Sequence, residues 1–170
     1  GYGISGQLLT SSLRTLSIET VVLEMNSDNV ALGKERGDPV YYADATSEEA
    51  LGHAHLESCR AVVIMINDHA ASERVLASIK RLPGEIPVFV RTQYMTGIED
   101  FKKFNPEGVV SCEVEGGLEV LSQVLRKLEV PRNVIIKEID HARSQTMQSD
   151  RVFKETPLPL HEHKELKNLA

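Results

Sequence analysis

Three glycines, Gly1, Gly3 and Gly6, give the chain its first chemical signal. The run GYGISG has the G-x-G-x-x-G spacing of a turn that holds phosphate. In such a turn Gly1 allows the tight bend and Gly3 lets the backbone approach a pyrophosphate. Gly6 allows close packing of helix on strand. The N–H groups of about Gly3, Ile4, Ser5 and Gly6 then face the phosphate from a helix N-terminus. The same spacing also occurs in glycine turns that are purely structural.

Downstream residues supply context. Glu24 closes the run ETVVLE, roughly 18 residues beyond Gly6, near the ~20 expected of an acid that binds ribose hydroxyls. Met25 follows it at the ribose end. The next residues, NSDN, contain no arginine, which disfavours a 2′-phosphate. Asp44 and Ala45 end a third apolar run, where a nucleotide fold presents a loop to the adenine, although Asp44 also reads as a turn residue. Ile66, Asn67 and Asp68 end RAVVIMI and face the crevice where open α/β sheets bind ligands; Asn67 and Asp68 are equally good helix caps. Arg91 ends IPVFVR and brings a cation, to pair with a ligand phosphate or with Glu24 or Asp68.

Other chemistry is poorly supported. His53 and His55 lie two apart on a short helix, where they do not share a face, and His161 and His163 lie in a polar tail. No metal site is expected from either pair. Ser5 has no readable His–Asp partner, so no catalytic residue is assigned. Glu113 and Glu115 read as the acidic start of a helix. The net charge of −6 argues against binding of a nucleic-acid backbone. With no Trp and 5% aromatic residues, a base-stacking platform is not expected. The two cysteines, Cys59 and Cys112, form no disulfide framework and suit a reduced compartment. No apolar run approaches the ~18 residues that span a bilayer.

Short apolar runs alternate with amphipathic stretches, which predicts an α/β fold with a Rossmann-like, doubly wound parallel sheet. Helices are expected at QLLTSSLRTL, with Leu9, Leu13 and Leu16 on one face, and at ATSEEALGHA, opened by a Thr46–Glu49 capping box. Others are expected at NDHAASERVLASIKRL, GIEDFKKF and GGLEVLSQVLRKLEV. Five strands follow the glycine turn; a preceding strand would complete the six of the dinucleotide-binding sheet.

Taken in order, GYGISG, VVLE, YYADATSEEAL, AVVIMINDHAASERV, VFVRT and EGVVSCEVEGGLEVLSQVL resemble the KTN, or RCK N-terminal (TrkA-N-like), domain over about residues 1–130. Ala43 stands where the family pattern Gly-Asp-Ala-Thr has glycine. The resemblance implies a regulatory domain of potassium channels and Kef-type cation/proton antiporters rather than an enzyme. It would bind NAD(H) or AMP, with ATP and ADP as further options, at the cytoplasmic face of the inner or plasma membrane. Gly1, Gly3 and Gly6 would form the phosphate loop, Glu24 the ribose acid, Asp44 and Ala45 the adenine loop. Arg91 would be the strand-end arginine. The partners implied are a second copy, forming a homodimer, and a membrane-embedded channel or antiporter domain. Residues 1–130 would be the nucleotide domain, 131–148 a dimer-contact or crossover helix, and 149–170 a flexible tail. The first strand is missing from the sequence, so upstream residues, including a membrane domain, are expected. A sheet continuous through its centre without them would overturn that expectation. The competing readings are a fragment of an NAD-dependent dehydrogenase, which would need a substrate domain, and an S-adenosylmethionine methyltransferase, which would need a further antiparallel hairpin.

Overall fold

A computed structural model describes residues 1–82 and 84–148; the expected tail, 149–170, lies outside the described residues. The chain divides into two compact units, Gly1–Gly116 and Gly117–Ala170.

In the first unit, α1 (Ile4–Thr15) follows the glycine turn and leads to β1 (Val22–Glu24). Then come α2 (Ser27–Glu35), β2 (Val40–Tyr42), α3 (Glu48–His53) and β3 (Val62–Ile64). The series continues with α4 (His69–Arg81), β4 (Val88–Thr92), α5 (Ile98–Lys102) and β5 (Gly108–Ser111). All pairings are parallel. β1 pairs with β2, aligning Glu24 with Tyr42. β3 pairs with β4 and β4 with β5, aligning Ile64 with Val90 and Arg91 with Val110.

The parallel α/β class is therefore as the alternation predicts. The described strands make two sheets, one of two strands and one of three, and no ladder joins β1 to β3. Each sheet has its own apolar cluster. Val88 and Val90 of β4 point to one side with Ile64, where they meet Val75, Leu76 and Ile79 of α4 and Phe101 of α5. The smaller cluster is Tyr2, Val30 and Val40. Tyr2, inside the glycine turn, is thus a core residue with no exposed surface.

Local chemistry sets the helix ends. Asn26 caps α2, accepting from the N–H groups of Asp28 and Asn29 at 2.9 and 3.1 Å. Asp68 caps α4, accepting from Ala71 N–H at 2.6 Å. The cap of α3 is Ser47, one residue beyond the expected Thr46, because the Thr46 hydroxyl is turned back to Asp44 at 2.7 Å. The stripe expected on α1 is only partly covered: Leu9 and Leu13 are half-buried and Leu16 is exposed.

α6 (Cys112–Lys127) runs across the division between units, and α7 (Arg132–Gln148) lies in the second. α6 ends in a Schellman-type turn, with Val130 N–H bonded to Leu125 C=O at 3.1 Å and Glu129 left-handed at φ 58°. Val120 and Val124 on α6, Leu128 just after it, and Val134 and Ile136 on α7 are exposed. No described helix is long and apolar enough to cross a membrane.

Candidate functional site

The glycine turn closes tightly on itself. A Cβ on Gly6 would lie 2.1 Å from the carbonyl oxygen of Gly1, and one on Gly1 would lie 2.9 Å from that of Met65, just past β3. Both positions need glycine because backbone occupies the space of a side chain. Gly3 differs, since a Cβ there would meet nothing within 4 Å. The surface of the turn is open at the position where a phosphate would approach.

α1 begins next to that opening. Its N-cap is Gly3, with no side-chain cap. The first bond inside the helix runs from Gln7 N–H to Gly3 C=O at 2.9 Å, so the N–H groups of Ile4, Ser5 and Gly6 lack intrahelical partners. Bare donors, a helix dipole and an open glycine surface fit a phosphate group.

Glu24 is joined to the turn. Its Oε2 accepts the N–H of Tyr2 at 2.6 Å, and its Oε1 accepts those of Met25 and Asn26, each at 2.8 Å. Burial pushes the carboxyl pKa up, but the N–H donors of Asn26 and Tyr2, the nearby Gly1 ammonium and the N–H of Met25 together outweigh it, and the group titrates below its ordinary value. Glu24 is therefore an anionic acceptor at neutral pH, as a ribose diol requires. Met25 beside it is exposed.

Asp44 follows β2 and is exposed, while Ala45 packs against the larger core. Asp44 Oδ1 accepts both the hydroxyl and the N–H of Thr46, at 2.7 and 2.8 Å. These bonds hold its pKa below the ordinary value. The turn role is thus real, and the loop is shaped by it.

Beyond β3 and β4 lies a cleft of about 390 Å³, lined by Ile66, Asn67, His69, Arg91, Gly97 and Asp100 among others. Arg91 Nη2 donates to Asn67 Oδ1, and Nη1 lies 3.5 Å from Cys112 Sγ. The expected alternatives, Glu24 and Asp68, are not its partners: Glu24 is held by the turn and Asp68 caps α4. The buried Arg91 Nε has no hydrogen-bond partner among the described residues. Arg91 lines the cleft and so places a guanidinium cation beside it.

The sequence reading did not single out Tyr2, Asp38, His69 or Asp100. His69 Nε2 lies 3.0 Å from Asp100, and its ring packs on Phe101. A Cβ on Gly97 would sit 3.1 Å from the imidazole. His69 and Asp100 are 31 residues apart, so no local spacing could flag them. Among the described residues no group of three or more His, Cys, Asp or Glu could hold a metal ion.

The TrkA-N domain family matches residues 1–111. The chain belongs to that family. It is 28% identical over 144 residues to K(+) efflux antiporter 2, chloroplastic, of Arabidopsis thaliana, a match covering 85% of this chain and 12% of the relative. The chain thus spans about one eighth of that relative's length. Among solved structures, the TrkA-N domain of the Escherichia coli inner membrane protein YbaL is 27% identical, with a TM-score of 0.67, covering 72% of this chain and 91% of that one. The Kef C-terminal domain of Shewanella denitrificans in its AMP-bound form superposes with a TM-score of 0.75 at 14% identity, covering 87% and 90%. It shows that this TrkA-N chain shares a Rossmann-like fold with a nucleotide-bound protein.

Proposed function

We propose that this TrkA-N domain is a regulatory, non-catalytic nucleotide sensor of a potassium or cation transport system, and that its ligand is an adenine nucleotide, NAD(H) or AMP. The observation that carries the proposal is the union of the open glycine turn with Glu24 through the Tyr2 N–H bond. Gly3, Ile4, Ser5 and Gly6 hold the phosphate. Glu24, with Met25 beside it, receives the ribose hydroxyls. Asp44 and Ala45 border the adenine. Ile66, Asn67, Asp68 and Arg91 form the far side of the crevice, with the Arg91 guanidinium as a second phosphate contact. The antiporter relative and the AMP-bound Kef domain support this reading.

The domain works as a homodimer at the cytoplasmic face of the membrane, attached to a channel or antiporter domain. Its exposed apolar residues on α7, Val134 and Ile136, support a dimer-contact role for residues 131–148. Gating follows if the nucleotide binds two dimer arrangements with different affinity.

Calorimetric titration with AMP, NAD, NADH and ATP tests the proposal. The unmodified chain binds at least one of them, and Glu24→Ala weakens that binding while keeping the fold. Absence of binding to all four nucleotides excludes the sensor role.

A further inference from the structure

The residue between the first two glycines is fixed at every polar atom. Tyr2 N–H donates to Glu24 Oε2 at 2.6 Å. Its carbonyl accepts the side-chain amide of Gln7 at 3.1 Å. Its hydroxyl donates to Asp38 Oδ2. Its ring is fully buried beside Val30 and Val40, and burial, reinforced by Asp38, raises its pKa, so the hydroxyl stays protonated.

The hydroxyl and carbonyl bonds belong to a closed ring. Asp38 Oδ1 accepts Arg14 Nη1 at 2.7 Å. The same Nη1 donates to the Arg36 carbonyl at 2.8 Å. Arg36 Nη1 donates to Gln7 Oε1 at 2.8 Å, and Gln7 returns to the Tyr2 carbonyl. The ring ties the turn to α1 through Gln7 and Arg14, and to the segment between α2 and β2 through Arg36 and Asp38. Asp38 is the buried charge of the ring, with 2% of its side chain accessible, and a buried carboxylate needs these partners.

Gly1 and Gly3 have no side chains to hold the turn in place. Tyr2 is the only residue between them that does, and Asp38 grips its far end. We infer that Asp38 is a positioning residue for the nucleotide: through the Tyr2 hydroxyl it sets where the Gly1–Gly6 turn presents its N–H groups to phosphate. Asp38 itself does not touch the ligand. The inference rests on the nucleotide-sensor reading and adds a device that controls the affinity of the site.

The test compares AMP and NAD affinity by calorimetry for the unmodified chain, Tyr2→Phe, Asp38→Asn and the double variant. Melting curves confirm that each is folded at the titration temperature. Tyr2→Phe keeps the buried ring and removes only the hydroxyl. Loss of one positioning hydrogen bond raises Kd by about three- to tenfold. Because both residues act through one bond, the double variant is no weaker than the weaker single variant. Gln7→Ala opens the ring from the carbonyl side and raises Kd in the same direction, which keeps the idea testable if Asp38→Asn does not fold. An unchanged Kd in Tyr2→Phe and Gln7→Ala with a lowered melting temperature assigns the ring to stability alone and overturns the inference, leaving the sensor reading intact. Additive losses in the double variant overturn it as well. If neither AMP nor NAD binds the unmodified chain, the inference falls together with that reading.

Discussion

Tyr2 and Glu24, 22 residues apart, are joined by a 2.6 Å hydrogen bond from backbone N–H to carboxylate. The glycine turn and the strand-end acid are therefore tied directly to each other. In a site that reads both phosphate and ribose, this bond fixes the spacing between the two contacts before any ligand arrives.

The bond gives a pH dependence. The Glu24 pKa is lowered in the fold from its ordinary 4.5. A carboxyl with a lowered folded pKa stabilises the fold above its unfolded value, and the contribution is lost as pH falls through the folded value. Melting temperatures followed from neutral pH down through 4.5 and below should fall less steeply for Glu24→Gln than for the unmodified chain. Parallel curves would show that Glu24 carries no such linkage.

Gly33 lies where α2 crosses β2. A Cβ there would come within 2.4 Å of Val40 Cγ2 and 3.2 Å of the Tyr2 ring. Gly33→Ala should cost about 1–3 kcal/mol through overpacking, more than the helix propensity of alanine returns. Urea unfolding measures it, and an unchanged or raised midpoint would mean that the helix shifts without penalty.

Asp68 is both a proposed site residue and the observed cap of α4. Asp68→Ala should destabilise the chain by about 1 kcal/mol, and Asp68→Ser should recover most of that. Denaturant midpoints of the three proteins decide the matter; equal losses in Ala and Ser would point to the charge rather than the cap.

Glu129 holds a left-handed conformation at the end of α6. Glycine adopts it without the Cβ penalty of ~1–2 kcal/mol, and the extra freedom of the unfolded chain takes back ~0.4–1 kcal/mol. Glu129→Gly should therefore stabilise by up to about 1.6 kcal/mol. A lower melting temperature would show that the Glu129 side chain contributes more than its backbone costs.

Much of this arrangement was legible in the sequence because parallel strands are short apolar runs with distinctive ends. Glu24 closes β1 and Arg91 is the last residue but one of β4, whereas Asn67 lies three residues beyond β3. Other features were hidden for physical reasons. Asp38 sits in GDPV, where any aspartate reads as a turn former, and its buried role depends on Tyr2, 36 residues away. Tyr2 itself occupies the variable position of a glycine motif, so the motif directs attention to its neighbours. The Thr46 hydroxyl had two local uses, capping α3 or closing the Asp44 turn, and only the geometry of the loop selects the second.

The ring of Tyr2, Asp38, Arg14, Arg36 and Gln7 also constrains how such sequences can diverge. Phenylalanine in place of Tyr2 leaves a buried carboxylate short of one donor, and an apolar residue in place of Asp38 leaves a buried hydroxyl without an acceptor. Each change is tolerated more easily after the other. Positions 2 and 38 should therefore drift as a pair among homologous chains, and Arg14 should follow position 38, since its guanidinium has less reason to stay once the carboxylate is gone.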